Sequence, residues 1–205
     1  MNIIHGLVQR RLVPKWAQRI TWNREFARGR WDSRILHTPN DPIYELLAKY
    51  CTNRDICDIG AGHGNTVTEM PPVYRTYTGV DLSDVALSIA AKRASEAGRQ
   101  RVAFVQGFMH SFTPARSPDV FLFRESLQYV SRSRRYMAGN MARFLRRYAA
   151  MLAPSGLMIC RLNTTTPRGK YNAGQIEAVV NQNFEVIECR YTEEPALLLV
   201  FRPFH

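Results

Sequence analysis

The stretch from Asp55 to Asn65 reads Asp-Ile-Cys-Asp-Ile-Gly-Ala-Gly-His-Gly-Asn, and it decides the fold of this chain. A short strand-like run ends in three glycines at every second position, Gly60, Gly62 and Gly64. Glycine tolerates positive φ and allows close contact between the backbone and a ligand. The residues after the third glycine are compatible with a helix. The stretch therefore predicts a strand, a tight ligand-contacting turn and a helix, as at nucleotide sites in open α/β sheets.

The spacing of the glycines distinguishes between kinds of nucleotide. A dinucleotide fingerprint is spaced G-x-G-x-x-G, whereas here the third glycine comes one residue early and Asn65 takes its place. The pattern Asp58-x-Gly60-x-Gly62-x-Gly64 resembles the first motif of the class I S-adenosylmethionine-dependent methyltransferases. The resemblance implies that the turn runs along the methionine part of the cofactor and that Asp58 anchors that end. A generic strand-to-helix turn is the alternative.

A second acidic residue follows at a suitable distance. Tyr77 to Asp81 has the pattern of a strand, and Asp81 lies 81 − 58 = 23 residues after Asp58. A ribose-binding carboxylate is expected about 20 residues after such a turn. We expect Asp81 to accept hydrogen bonds from both ribose hydroxyls and Leu82 to lie on the adenine face. The alternative is that Asp81 caps a helix or faces solvent.

The remaining pattern predicts an α/β fold. We expect a Rossmann-like, seven-stranded, mostly parallel sheet with helices on both faces and a C-terminal antiparallel hairpin. We expect residues 1–40 to form a basic, Trp-rich arm or lid and residues 41–205 to form the cofactor-binding domain. Helices are predicted at 43–50, along a stripe of Met137, Met141, Phe144, Leu145 and Tyr148, and at about 173–181. The strands are predicted at 56–59, 77–81, 102–106, 119–123, 157–162, 184–190 and 196–202.

The exit of the third strand departs from the family pattern. Many members carry an acidic residue there, and this chain has Gly107, Phe108 and Met109 instead. We expect Phe108 or Met109 to pack on the adenine ring. The cofactor-binding residues that the resemblance implies are Asp58, Gly60, Ala61, Gly62, Gly64, Asn65, Asp81, Leu82, Gly107, Phe108, Met109 and Arg124.

Catalytic candidates follow from the position of the strand ends. Ligands of open α/β sheets bind outside the carboxyl ends of the strands, where Glu125 and His110 are placed. Either could act as a general base, which is needed only if the acceptor is a hydroxyl or a protonated amine. In the alternative, Glu125 pairs with a neighbouring arginine and only positions or packs. The residues expected to contact the acceptor are Tyr129, Arg161, Asn163 and Trp31.

Composition restricts the partners. The formal net charge is +11, and residues 1–40 hold eight basic and two acidic side chains. Such charge fits an anionic substrate, nucleic acid, a membrane surface or a solvated basic face. The sequence predicts no membrane span, no metal site and no specific nucleic-acid recognition. Cys57, Cys160 and Cys189 fall in strand-like runs, so we expect buried free thiols and a cytoplasmic protein.

The resemblance implies an S-adenosylmethionine-dependent methyltransferase acting on an oxygen or nitrogen atom of a small molecule. Saccharides and other anionic metabolites are candidate acceptors, since the chain is loosely similar to nodulation N-methyltransferases. One alternative is an RNA methyltransferase that uses the basic faces, although no RNA-binding motif is apparent. Another is a non-catalytic cofactor-binding partner protein, and an oxidoreductase is disfavoured by the glycine spacing. We expect Trp16, Trp22, Phe26 and Trp31 to pack the arm on the domain as a lid, a plain appendage or a dimer contact.

Overall fold

A computed structural model of the protein describes residues 14–29, 38, 40–131 and 137–204. The helices are α1 Lys15–Ala27, α2 Ile43–Tyr50, α3 Asn65–Glu69, α4 Asp84–Glu96, α5 Met137–Ala149 and α6 Pro167–Asn183, with a 3-10 turn at Leu127–Tyr129. The strands are β1 Asp55–Ile59, β2 Thr76–Asp81, β3 Val102–Gln106, β4 Val120–Arg124, β5 Leu157–Asn163, β6 Glu185–Tyr191 and β7 Ala196–Arg202.

The seven strands form one sheet in the order β3-β2-β1-β4-β5-β7-β6. The pairs among β1 to β5 are all parallel, whereas β7 runs antiparallel to both β5 and β6. The predicted fold class, a mostly parallel Rossmann-like sheet closed by an antiparallel hairpin, is therefore confirmed.

The strand order reverses between β1 and β4. After β3 the chain returns across β1 to form β4, so consecutive connections leave from opposite sides of this position. Such a reversal opens a crevice at the carboxyl ends of the two strands, and ligands of open α/β sheets bind there. The glycine turn after β1 and the residues directly after β4, Glu125 and Ser126, both border this crevice.

Both faces of the sheet are covered by apolar side chains. One face packs Phe121 and Phe123 of β4 against Phe144 and Tyr148 of α5, with Phe121 and Tyr148 edge to face at 4.8 Å. Because parallel sheets are buried on both sides, their strands read as nearly continuous apolar runs. The stripe predicted for α5 is buried along its whole length. The other face packs apolar residues of β1, β4 and β5 against α2.

Helix α6 begins earlier than predicted. It starts at Pro167 instead of about residue 173. Thr166 is the N-cap, and its Oγ1 accepts a hydrogen bond of 3.0 Å from the Gly169 N–H. Proline at the first helical position has no N–H to leave unpaired. The apolar periodicity of the sequence begins only at Ala173, which accounts for the late predicted start.

Strand β6 forms an edge of the sheet. For that reason Cys189 is exposed, and the prediction that it is buried was wrong, whereas Cys57 and Cys160 are buried as expected. The pairing of β6 with β7 is interrupted by an irregularity between Val186 and Glu188.

The N-terminal arm is described in part. Helix α1 packs Phe26 against the domain, while Trp16 is 64% exposed, so the prediction that it packs was wrong. Trp31 lies outside the described residues. No helix in the described part of the chain has the length and hydrophobicity to span a membrane.

Two glycines of positive φ allow a matched test of close packing. A Cβ added at Gly64 (φ +70) would lie 2.8 Å from Ala90 Cβ on α4, whereas one at Gly98 (φ +63) would meet open space. We expect Gly98→Ala to lower the free energy of unfolding by about 1–2 kcal/mol through left-handed strain. Gly64→Ala should lose about 1–3 kcal/mol more through overpacking. Urea unfolding measures both, and equal losses would contradict the contact.

Candidate functional site

The glycine turn leaves β1 with all three glycines in the left-handed region. The φ angles are +86 at Gly60, +53 at Gly62 and +70 at Gly64. The N–H groups of Gly60 and Ala61 both donate to the carbonyl of Val80 on β2, at 2.8 and 3.0 Å. The turn is thereby fixed to the neighbouring strand, and its glycines are required by conformation as well as by space.

Asp81 joins the end of β2 to this turn. Its Oδ2 accepts a hydrogen bond of 3.0 Å from the Gly62 N–H, and its Oδ1 accepts one of 2.9 Å from the Ser83 N–H. Burial raises the pKa of Asp81, and the N–H groups that it accepts from oppose that shift. A carboxylate has about four lone-pair sites, so both oxygens can accept further hydrogen bonds from a ligand in the crevice.

Asp58 lies beneath the turn and not on its open surface. It is 1% exposed, and the Tyr77 hydroxyl donates to its Oδ2 at 2.5 Å. Burial raises its pKa to about 6, against the opposing effects of the Tyr77 hydrogen bond and the Arg124 charge. Near neutral pH the Asp58 carboxylate therefore supplies negative charge below the turn.

The exit of β3 forms one wall of the crevice. The Gly107 N–H donates to the carbonyl of Asp81 at 2.8 Å, and a Cβ at Gly107 would overlap Phe112 and Val80. Phe108 lies under the Lys15 ammonium of α1, which is 5.3 Å from the ring centroid.

Of the two residues that follow, Met109 packs on the apolar core. Its carbonyl also accepts a hydrogen bond of 2.7 Å from the Tyr148 hydroxyl. His110 is exposed, and its ring lies 5.1 Å from that of Phe108 and 5.7 Å from that of Phe144.

The exits of β4 and β5 bring the charged candidates together. Arg161 pairs with Asp41 and with Glu125, and Arg124 pairs with Asp41. The two strand-end cations are thus bound to carboxylates. Asn163 closes a turn, because its Oδ1 accepts hydrogen bonds from the N–H and the hydroxyl of Thr165.

Glu125 has an unusual backbone conformation. Its φ is +56, in a region that non-glycine residues occupy rarely and at a cost of about 1–3 kcal/mol. Burial raises the pKa of Glu125, and the positive charge of Arg161 opposes that rise. Its side chain remains 29% exposed, so the carboxylate pairs with Arg161 and still reaches the crevice. Strained residues of this kind cluster at functional sites.

Helix α1 lies across the strand exits. The Trp22 ring meets that of Tyr129 edge to face at 5.4 Å, and Phe26 lies 4.7 Å from His63 in the glycine turn. Asn23 accepts a hydrogen bond from the Ser83 hydroxyl and donates one to Asp84. Helix α1 therefore contacts the exits of β1, β2 and β4.

Two of these residues were missed by sequence reasoning. Asn23 and Asp41 join the site from outside the motif region, and a carboxylate partner for Arg124 and Arg161 could have been sought once both strand ends were known. The predicted Trp31 contact lies outside the described residues. Within the described ranges, no three His, Cys, Asp or Glu side chains are grouped to hold a metal ion.

Comparisons with known proteins agree with this geometry. Residues 56–156 match the family model described as a methyltransferase domain. The search of curated proteins gave no significant match.

Solved structures with a similar fold cover nearly the whole chain. One is the N-methyltransferase NodS from Bradyrhizobium japonicum WM9 in complex with S-adenosyl-L-homocysteine, at 17% identity and a TM-score of 0.68, over 91% of this chain and 98% of that one. The DhpI–SAH complex matches at 16% identity and a TM-score of 0.69, over 97% of this chain and 98% of that one. Magnesium protoporphyrin IX methyltransferase (ChlM) from Synechocystis PCC 6803, with bound SAH, matches at 14% identity and a TM-score of 0.66. The match covers 92% of this chain and 100% of that one.

Proposed function

We propose that this chain is a class I S-adenosylmethionine-dependent methyltransferase that methylates an oxygen or nitrogen atom of a small molecule, since residues 56–156 match the methyltransferase-domain family model. The observation that carries this proposal is the partly exposed side chain of Glu125 at the exit of β4, whose neighbour Ser126 lies against Gly60 of the glycine turn. The NodS structure, whose fold is similar, is that of an N-methyltransferase.

The residues around the crevice fit the cofactor. We assign the turn of Gly60, Gly62 and Gly64 to its methionine part, Asp81 to its ribose, and Leu82 with Phe108 to its adenine. When bound, S-adenosylmethionine supplies an electrophilic methyl group on a sulfonium centre. The negative charge of Asp58 below the turn favours such a cationic ligand.

Glu125 is the proposed proton acceptor. An acceptor hydroxyl or ammonium must lose a proton for methyl transfer, and a carboxylate whose pKa is raised by burial holds that proton better. The family chemistry otherwise depends on holding the acceptor in line with the methyl group and excluding water.

The acceptor proposed here need not be anionic. Arg124 and Arg161 are already bound to carboxylates, which supports a neutral or amine-bearing acceptor, such as a saccharide, over an anion. Trp22 and Tyr129 add aromatic surface at the same edge. The buried free thiols of Cys57 and Cys160 support a reducing compartment, and we propose the cytoplasm.

Asp81→Ala tests the cofactor assignment. Hydrogen bonds to a charged group contribute about 1.5–3 kcal/mol, so affinity for S-adenosylhomocysteine should fall roughly tenfold to a hundredfold. Titration calorimetry measures this loss, and Glu96→Ala, an exposed acid on α4, should leave affinity unchanged. Equal affinity of wild type and Asp81→Ala would refute the assignment.

Glu125→Gln tests the proton acceptor. Loss of a general base lowers kcat by about 10²–10⁴-fold, while the affinity for S-adenosylhomocysteine should be unchanged. Acceptors are found by incubating S-adenosylmethionine, labelled in its methyl group, with a low-molecular-weight cell extract or with total RNA. We expect label in the small-molecule fraction only.

Other results of the labelling and of the substitutions would support the alternative functions or a different proton acceptor. Label in RNA would support the alternative that uses the basic faces, and no label in either fraction would support a non-catalytic partner. A rate loss confined to His110→Asn would transfer the proposed role to that histidine.

We propose that residues 1–40 close over the bound cofactor, with α1 as the covering helix. A closing segment is less stable without its ligand than with it. S-adenosylhomocysteine should therefore slow trypsin cleavage after Arg24 and Arg28 and shift the fluorescence of Trp22. Cleavage after Arg116, in a loop far along the chain, should not change. Equal cleavage of the arm with and without ligand would mean that α1 is a fixed part of the domain.

A further inference from the structure

The register of the sheet places two arginines side by side. Arg124 and Arg161 are Cα partners at the ends of the parallel strands β4 and β5. Their side chains are only 13% and 12% exposed. Like charges on adjacent strands repel each other, and burial removes the water that would screen them. Such a pair requires a carboxylate that both guanidinium groups can reach.

Asp41 meets this requirement. Its side chain is 2% exposed, and Oδ2 accepts a hydrogen bond of 2.7 Å from Arg124. Arg161 Nε donates to Oδ1 at 3.0 Å and lies 2.9 Å from Oδ2. Its Oδ1 accepts a hydrogen bond of 3.1 Å from the Ile43 N–H, which fixes the carboxylate at the start of α2. Arg124 also donates to the hydroxyls of Thr38 and Tyr44, so its orientation is fixed independently of the β5 side.

Arg161 connects Asp41 to Glu125. Its Nε edge is bound by Asp41, and its Nη1 donates to Glu125 Oε1. A guanidinium is a rigid planar fork, so fixing one edge sets the direction of the other. The backbone contributes as well, because the Glu125 N–H donates to the Arg161 carbonyl at 3.0 Å.

We propose that Asp41 is a positioning residue for methyl transfer, which acts through Arg161 to set the orientation and charge environment of the Glu125 carboxylate. This inference rests on the proposed function of Glu125. Asp41 itself is too buried to contact an acceptor.

The charges around Glu125 determine the direction of the effect. Arg161 and Arg124 both lower the pKa of Glu125, as does the backbone N–H of Asn163. Asp41 offsets the two arginines, and the charge of Arg124 also acts on the Asp58 carboxylate. Without the charge of Asp41, the positive charge near Glu125 is less compensated, so its pKa should fall. A carboxylate with a lower pKa is a weaker base.

The experiment is a 13C NMR titration of protein labelled at the Glu side-chain carboxyl, with S-adenosylhomocysteine bound and no acceptor. The Glu125→Gln spectrum identifies the Glu125 signal. In Asp41→Asn the midpoint should fall by about one pH unit, the lower end of the shift that a nearby charge produces. Asp119→Asn removes a carboxylate that pairs with Arg75 at the amino ends of the strands, and it should leave the Glu125 midpoint unchanged.

In a second variant, Arg124→Met, the titration midpoint of Glu125 should change in the opposite direction, which keeps the test decisive if Asp41→Asn does not fold. Arg124→Met removes one positive charge, and the Asp41 carboxylate then pairs with Arg161 alone, so the Glu125 midpoint should rise. If the midpoints in the folded Asp41→Asn and Arg124→Met variants match the wild type, the proposal is wrong and Asp41 is structural.

Turnover measurements distinguish a failure of the proposed role of Asp41 from a failure of the proposed role of Glu125. With an identified acceptor, the acidic limb of the kcat profile of Asp41→Asn should shift to lower pH by the same amount, with an unchanged KM for S-adenosylmethionine. Wild-type turnover by Glu125→Gln would refute the proposed role of Glu125. The titration alone, which needs no acceptor, refutes or supports the effect of Asp41 on that carboxylate.

Discussion

The hydrogen bond between the Gly62 N–H and Asp81 Oδ2 is the contact on which the carboxyl edge of the sheet depends. Gly62 occupies positive φ where its N–H meets this carboxylate at the end of β2. The same approach requires Gly79, since a Cβ there would lie 2.7 Å from Phe104 and 3.1 Å from Ala61. Two successive strands are therefore tied together at the point where the crevice opens.

A chain of polar contacts extends from that point to the far side of the crevice. Arg93 of α4 donates to the carbonyl of His63 and to the side chain of Asn65, and Asn65 donates to Thr38. From Thr38 the polar contacts continue through Arg124, Asp41 and Arg161 to Glu125. The glycine turn and the proposed proton acceptor thus belong to one continuous network. Removing one member of such a network leaves buried partners unsatisfied, which costs more than the lost contact alone.

Local signals made the sheet predictable. The glycine spacing, the apolar runs of the strands and the stripe of α5 are each set by neighbours a few residues away, and each was found where expected. The ion pairs of Asp41 were not predicted, because they join residues separated by 83 and 120 positions. The burial of Asp58 was hidden for the same reason, since its partner Tyr77 lies on another strand. Exposure of Cys189 depended on strand order, which no run of residues within β6 reveals.

The edge position of β6 bears on how copies of this protein meet. An edge strand presents unpaired N–H and C=O groups that can template pairing with another chain. Here the irregularity between Val186 and Glu188 breaks that row. Glu188, bound by Lys49, and Arg190, bound by Glu45, place charge along the same edge. A strand from a second molecule would have to desolvate these ion pairs to align, so this edge opposes aggregation by strand addition.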